Sequence, residues 1–274
     1  MKLDPSLLER CRSAQQKTYQ GLRAVAQALR AGMSEVEAAA LLRQELCDRG
    51  AQGFFHEPIV WFGGRTAFEG IEARLDALPT QNQIAAGQAF ILDAAPIFDG
   101  CTADVSFSGS LAAPSPPPGT SLLASLRKEI PGWINSGSTG RQVAQKVAAF
   151  AAAQGFESKQ DGYLFGALGH RVFRHRPNPF LRRSAFGLGL SSAFQLFGRA
   201  ALSRLPGTGC EWPFWNDSKF AENPPRFGLW SVEPHIAKDN HGLKWEELIV
   251  IDEDGARWLE ERSPFDPDGF ANAR

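Results

Sequence analysis

The feature that most constrains this chain is a pair of apolar segments joined by a tight turn, each carrying one aspartate. Asp93 lies in the run AFILDA at 89–94, and Asp104 lies in CTADVSFSG at 101–109. The Asp99–Gly100 step between them is a strong signal for a hairpin turn. A lone carboxylate in an apolar strand is costly unless it is paired or metal-bound. Two carboxylates on paired strands can face one point, as a two-metal site requires. The alternative is that Asp93 ends a strand and Asp104 caps a turn.

Helices and strands are mixed along the rest of the chain. Apolar residues recur at helical intervals from about Ser6 to Ala31, and Gly32 stops that helix. Ser34 followed by Glu37 is a capping box that opens a second helix. A further helix is predicted over 139–154, and strands are predicted over 54–62, 89–94, 101–109, 229–233 and 247–251. Because helices and antiparallel strands do not alternate regularly, the pattern favours an α+β fold. The segment PSPPPG at 114–119 indicates a stiff surface connection.

The bulk composition excludes several function classes. The 274 residues include 29 Lys and Arg against 30 Asp and Glu, so no positive surplus supports nucleic-acid binding. The four cysteines form no CxxC pair, which argues against a cysteine metal site and favours a reduced, cytoplasmic protein. Every apolar stretch is interrupted before it could span a membrane, and no signal peptide is evident. We therefore expect a soluble protein that binds neither nucleic acid nor a membrane.

Three further residues are candidate metal ligands. His170 lies in the apolar segment ALGHRVF, Glu233 stands in LWSVEP, and Glu246 precedes the last apolar strand. A neutral imidazole is the commonest nitrogen ligand for transition metals. Each residue also has a structural interpretation, His170 as a hydrogen-bonded core histidine and the glutamates as solvent-facing strand residues.

The order of these residues resembles that of a known family. An Asp, a second Asp eleven positions later, a Gly–His, a Glu–Pro and a final Glu before a strand ending in Asp–Gly look like the pita-bread metallopeptidases, which include methionine aminopeptidase, aminopeptidase P and prolidase. The resemblance runs along most of the chain. It also includes AGMSEVEAAALLRQEL, GFFHEPIVWFGG, GSTGRQVAQKVAAFAAAQGF and WEELIVIDEDG.

The resemblance implies a single catalytic domain over 1–274, with a pita-bread fold of two pseudo-symmetric halves. It implies two divalent ions bridged by Asp104 and Glu246, with Asp93, His170 and Glu233 completing their shells. Such a shell suits Mn, Co, Fe or Zn. The implied activity is that of an aminopeptidase or dipeptidase, of the Xaa-Pro type among others, which uses a metal-activated water and Glu233 as the proton shuttle.

Histidines are where the chain departs from the family pattern. The family usually has a substrate-positioning histidine shortly before the first aspartate, but no histidine lies between His56 and His170. His56, His175 and His235 are therefore candidate substrate-binding residues. His175 is also a candidate for polarising the scissile carbonyl. The alternative for each is a histidine without a catalytic role.

A stretch rich in arginine and aromatic residues, at about 171–228, is longer than the family core needs. Residues 171–209 contain seven arginines and no acidic residue. One interpretation is a basic lid that binds a carboxylate-ended substrate, since Arg grips carboxylates bidentately. The alternatives are an amphipathic helical insertion or a homodimer contact.

Two other functions stay open. One is a non-peptidase hydrolase of a small amide or guanidino metabolite, as in the creatinase-type relatives. The other is a non-catalytic binding module, against which the complete set of five candidate ligands argues.

Overall fold

The computed structural model describes residues 2–113, 115–176 and 183–262. Its helices are α1 Pro5–Ala28, α2 Glu35–Asp48, α3 Thr120–Asn135, α4 Gly140–Ala152 and α5 Leu190–Leu202. Its strands are β1 Gly53–Phe54, β2 Ile59–Phe62, β3 Ala89–Ala94, β4 Pro96–Phe98, β5 Cys101–Thr102, β6 Val105–Ser110, β7 Glu157–Ser158, β8 Gly169–Arg171, β9 Ser184–Ala185, β10 Leu188–Gly189, β11 Phe214–Trp215, β12 Gly228–Val232, β13 His235–Lys238, β14 His241–Lys244, β15 Glu247–Asp252 and β16 Gly255–Trp258. No helix among these residues is long and apolar enough to cross a membrane.

The first half of the molecule is an antiparallel sheet backed by α1 and α2. Its strand order is β2-β3-β6. Side chains alternate between the two faces of a strand, so Phe90, Leu92 and Ala94 of β3 pack into the same apolar core as the two helices. Asp93 consequently points to the opposite face. β6 continues this pattern, since Val105 and Phe107 join that core.

The second half repeats the scheme with α3 and α4 against a five-stranded sheet. The strand order is β11-β8-β12-β15-β16. Trp230 and Val232 of β12 pack into a core that also contains apolar residues of α3 and α4. The intervening Ser231 therefore faces away from the helices. Both α2 and α4 begin with a capping box, Ser34 with Glu37 and Thr139 with Gln142, so the two halves share a helix start.

The two sheets meet at one short antiparallel bridge between Ser106 and Glu246. The Ser106 N–H donates to the Glu246 carbonyl at 3.4 Å, and the Glu246 N–H donates to the Ser106 carbonyl at 3.1 Å. The remaining strands form the three-stranded sheets β1-β4-β5 and β14-β13-β7 and the hairpin β9-β10. The faces turned away from the two helix pairs thus border one shared space.

The structure confirms the α+β class and most of the predicted elements, and it corrects others. Asp99 and Gly100 both have positive φ, at 49° and 77°, as the hairpin turn requires. The strand predicted over 54–62 is two strands, β1 and β2, separated by a segment containing Pro58, which has no N–H to donate. The strand predicted over 101–109 is likewise divided, so Asp104 lies just before β6 and not inside a strand.

Helix α3 was not predicted, and its sequence explains why. It follows directly on the proline-rich connection and carries Pro131 in its interior, whereas proline is normally a helix breaker. The first residue of that connection, Pro114, lies outside the described residues.

Candidate metal centre

The five candidate ligands are brought together between the two sheets. Asp93 comes from β3 and Asp104 from the residue before β6, while His170 lies on β8. Glu233 directly follows β12, and Glu246 directly precedes β15. All five residues are buried. Four carboxylates and an imidazole therefore share one buried site, where their charges must be compensated.

Asp104 stands between two histidines. Its Oδ2 lies 3.0 Å from His170 Nε2, and its Oδ1 lies 3.2 Å from His56 Nε2. Burial acts to raise the pKa of the Asp104 carboxyl, but the two imidazoles outweigh it and hold that pKa well below its usual range. Burial likewise acts to lower the pKa of His56, but the carboxylates of Asp104 and Asp93 raise it to about 9. The negative charge of Asp104 and the protonated forms of the two imidazoles thus stabilise one another.

Glu246 faces the same ring nitrogen of His170 as Asp104 does. Its Oε1 accepts a hydrogen bond from Ser231 Oγ at 2.8 Å and lies 3.9 Å from His170 Nε2. Burial, followed by the nearby Asp104 carboxylate, raises the pKa of Glu246 well above its usual range. The Glu233 carboxyl also has a raised pKa because it is buried, although Lys244 opposes that effect.

Lys244 is a residue of this site that the sequence did not reveal. It lies at the end of β14, is only 2% exposed, and points its ammonium into the carboxylate cluster. Its Nζ lies 2.5 Å from Asp93 Oδ2, 2.9 Å from Glu233 Oε2 and 2.9 Å from Glu246 Oε2. Burial acts to lower the pKa of Lys244, but these three carboxylates raise it well above its usual range. Lys244 is therefore a fixed positive charge within the site.

The protein groups fit a pair of divalent ions. Two sets of three ligand atoms lie within 4.8 Å of one another, one from His56, Asp93 and Asp104 and the other from Asp104, His170 and Glu246. Asp104 belongs to both sets. Asp93 Oδ1 is buried and has no hydrogen-bond partner, a costly state for a carboxylate oxygen that a bound cation would relieve. Carboxylate oxygens with imidazole nitrogens are a donor set for divalent transition metals.

Backbone packing positions His170. The residue before it is Gly169, where a Cβ would lie 2.6 Å from the Ser231 carbonyl oxygen and 3.2 Å from the Trp215 ring. Only glycine lets β8 lie this close to β12. The His170 ring also stacks on Phe55, with centroids 4.8 Å apart and planes 8° apart. The Gly–His pair is thus explained by close strand packing at this point.

A cavity of about 410 Å³ opens onto the ligands. Its floor contains His56, the five candidate ligands and Lys244, and most of its wall is aromatic or aliphatic. Wall residues include Phe55, Trp61, Phe68, Tyr163, Phe165, Leu188, Leu196 and Phe214. Glu72 and Asp161 also line the wall. An apolar pocket with a few convergent polar groups is the usual form of a small-molecule site.

His175 and His235 are placed differently from His56. Neither is among the described residues that line the cavity. His175 is buried beside Ser191 and Gln195, and burial lowers its pKa to about 4. His235 contacts the Thr66 carbonyl and the Tyr163 hydroxyl, each at 2.7 Å, and burial lowers its pKa to about 3. His235 therefore supports the cavity wall through Tyr163.

The arginine-rich stretch contributes apolar residues to the cavity. Phe186, Leu188 and Leu196 line it, whereas no arginine of the described chain does. Helix α5 buries Ser192, Leu196 and Ala200 on one side, and Phe194 on the other side is exposed. Residues 177–182 of this stretch lie outside the described part of the chain. The described residues thus give no support to arginine binding of a substrate carboxylate inside the cavity.

This structure has two helix-backed antiparallel sheets with a centre of carboxylates and an imidazole between them. That arrangement defines the pita-bread class of metal-dependent hydrolases. The model of metallopeptidase family M24 matches residues 9–253, so the chain belongs to that family.

Solved structures support the same fold. An X-Pro aminopeptidase from Thermotoga maritima MSB8 is 19% identical with a TM-score of 0.64, and the match covers 96% of this chain and 63% of that one. An Xaa-Pro dipeptidase from Bacillus anthracis is 16% identical with a TM-score of 0.64, covering 95% and 62%. The prolidase from Pyrococcus horikoshii OT3 is 16% identical with a TM-score of 0.63, covering 95% and 63%. This chain thus spans less than two thirds of their length. No curated protein matches this chain.

Proposed function

We propose that this protein is a dinuclear metal-dependent aminopeptidase or dipeptidase that cleaves the N-terminal peptide bond of a small peptide, Xaa-Pro peptides among them. The observation that carries the proposal is the convergence of Asp93, Asp104, His170, Glu233 and Glu246 on one buried point at the floor of a cavity. The similar solved structures with peptidase titles are consistent with a peptide substrate.

Different residues of the chain would bind the metal ions, transfer the proton and hold the substrate. Asp104 and Glu246, shared between two divalent ions of Mn, Co, Fe or Zn, would hold them together with Asp93, His170 and Glu233. When bound, the ions supply the positive charge that polarises the scissile carbonyl and lowers the pKa of the attacking water. Glu233 lines the cavity, where it can carry the proton from the water to the leaving amine. The apolar wall excludes bulk water and holds the substrate side chain.

The charges of the cavity wall favour an aminopeptidase over a dipeptidase. Glu72 and Asp161 line the wall and can accept a substrate ammonium group. Lys244 is the one cationic side chain among the described lining residues apart from the histidines, and three carboxylates already surround it. A C-terminal carboxylate would therefore find no uncommitted lysine or arginine among the described lining residues.

The same acidic wall supports a second candidate, a hydrolase of a small cationic amide or guanidino metabolite. Such a substrate would place its cation against Glu72 and Asp161 without needing a peptide backbone.

The test combines metal content with substrate chemistry. The full chain is purified without chelators, and bound metal is measured by elemental analysis in the wild type and in Asp104→Ala. We expect about two equivalents in the wild type and their loss in the variant. Peptides are then compared with a free or acetylated N-terminus and with a free or amidated C-terminus. Acetylation is expected to abolish cleavage and amidation to be tolerated. Cleavage of guanidino compounds alone would favour the second candidate, and absence of metal after reconstitution would overturn both.

A further inference from the structure

His56 has the position and orientation of a metal ligand. It lies between β1 and β2, and its Nε2 is 3.2 Å from Asp104 Oδ1 and 3.5 Å from Asp93 Oδ1. Ligand bonds of about 2.0–2.2 Å place neighbouring donor atoms about 3.0–3.5 Å apart around one ion. His56 Nε2 thus lies at this spacing from both oxygens, and the three residues offer ligand atoms within 4.8 Å of one another.

The second ring nitrogen of His56 is held as a ligand histidine requires. Its Nδ1 lies 2.9 Å from the backbone carbonyl oxygen of Glu57, so Nδ1 carries the hydrogen and donates it. Nε2 faces the carboxylates and is the nitrogen that would give up its proton to bind a cation. Histidines that bind metals commonly donate their other N–H to a carbonyl or a carboxylate in this way.

Lys244 reduces the number of carboxylate oxygens that can bind an ion on the Asp93 side of the centre. It occupies Asp93 Oδ2, so Asp93 offers only its unpartnered Oδ1 to an ion. An ion held there by Asp93 and the two shared carboxylates has oxygen donors from the protein. His56 is the adjacent group that supplies a nitrogen. His170 is in the corresponding position on the far oxygen of Asp104.

We propose that His56 is a direct ligand of the second ion, together with Asp93 and Asp104, so that each ion of the pair binds one imidazole. This inference rests on the proposed dinuclear function and assigns His56 to the metal rather than to the substrate. A nitrogen donor on both ions shifts the preference of the site toward Zn, Co and Fe(II) and away from the oxygen-preferring Mn and Mg.

The first test uses the wild-type full chain loaded with Co(II). The paramagnetic ion shifts the exchangeable N–H proton of each coordinated imidazole far outside the normal proton NMR range. We expect one such resonance at one equivalent of Co(II) and two at two equivalents. A single resonance at two equivalents would overturn the assignment, and this readout requires no substitution.

The second test compares His56→Gln with His241→Gln, which replaces an exposed histidine away from the centre. Co(II) binding is followed by calorimetry and by the visible absorption of the ion, with circular dichroism to verify folding. We expect His56→Gln to bind the first equivalent normally and the second at least about tenfold more weakly, since even outer-shell substitutions cost about 10–100-fold in metal affinity. His241→Gln should bind both equivalents as the wild type does.

The outcomes separate this inference from the proposed function. If His56→Gln binds both equivalents with wild-type affinity and absorption, the ligand assignment is wrong while the peptidase proposal stands. If the wild type shows two shifted resonances but cleaves no peptide, the ligand assignment stands and the peptidase proposal fails.

Discussion

At the scale of single residues, the charge of Lys244 is what lets three carboxylates share a buried site. Asp93, Glu233 and Glu246 all lie within 2.9 Å of its Nζ. Buried like charges repel strongly because little water screens them. One ammonium shared by the three offsets part of that repulsion and also holds one oxygen of each carboxylate in place. The remaining oxygens are thereby oriented for a cation.

We predict that Lys244→Met destabilises the protein strongly in the presence of a chelator. Removing one partner of a buried charge cluster typically costs about 3–5 kcal/mol because the other charges stay buried and unpaired. Urea unfolding with chelator measures this loss. Added Zn or Co should restore much of it in the variant, since divalent ions neutralise the same carboxylates. The control is Lys238→Met, at an exposed position on the neighbouring strand β13. Equal stability of the two variants would contradict the prediction.

The sequence predicted the acidic half of the centre and missed its basic half for a physical reason. Asp93 stands in a run of apolar residues, where a carboxylate calls for an explanation. Lys244 stands in HGLKWEE, where it alternates with the apolar Leu243 and Trp245, the pattern of a solvent-facing lysine in a strand. Its burial follows from contacts of β14 with Ser108 of β6 and Asp93 of β3, which lie far away in the sequence and which no local pattern reports. His56 was identified from its position in the chain, but its distance to Asp104 required the fold.

At the scale of elements, a second buried carboxylate fixes where helix α2 meets the first sheet. Glu35, the first residue of α2, is fully buried. It accepts hydrogen bonds from the Phe62 N–H at 3.0 Å, Arg65 Nε at 3.0 Å, and the Thr80 N–H and hydroxyl at 3.0 and 2.8 Å. These donors lie at the end of β2 and in the segment before β3. Glu35 therefore joins the helix start to the loop whose Thr66 carbonyl contacts His235.

We predict that Glu35→Ala costs about 3–5 kcal/mol of unfolding free energy, because the Arg65 guanidinium and several N–H groups lose a buried acceptor. Glu35→Gln should cost less, since the amide oxygen still accepts some of these hydrogen bonds. Chemical denaturation with the linear extrapolation measures both. Glu129→Ala, on the exposed face of α3, is the control and should change stability by no more than about 0.5 kcal/mol. A cost that small for Glu35→Ala would refute the role given to this carboxylate.

The elements that the sequence predicted correctly are those with a strong local signal. Helices α2 and α4 carry their own capping boxes, and β3 is an apolar run interrupted only by Asp93. The Asp99–Gly100 turn joins β4 to β5. The errors fall where tertiary packing overrides the local signal. Helix α3 tolerates Pro131 because Leu126, Ile130 and Ile134 bury one side of it in the second core. The strand predicted over 54–62 is interrupted between Phe54 and Ile59, in the segment that contains Pro58 and also carries His56.

At the scale of the whole molecule, the site belongs to neither half alone. Asp93 and Asp104 come from the first sheet, and His170, Glu233 and Glu246 come from the second. The sheets are joined directly at Ser106 and Glu246, next to the ligands. An ion bound at the centre therefore acts as a crosslink between the halves. The order of ligands along the sequence indicated this arrangement, because the resemblance spans both halves, whereas the distances between halves depend on packing.

We predict that divalent ions stabilise both halves together. A ligand that binds only the folded state adds about 2.7 kcal/mol at a concentration of 100 times its Kd, which for a domain of this size raises Tm by about 5–10 °C. Hydrogen exchange should show slower exchange in β3 and β12 alike when Zn or Co is added. Asp104→Asn keeps the side-chain volume but weakens the bridge between the two ligand sets, so it should lose most of the shift in Tm. Protection confined to one sheet, or a full shift in Asp104→Asn, would mean that the ions do not connect the halves through Asp104.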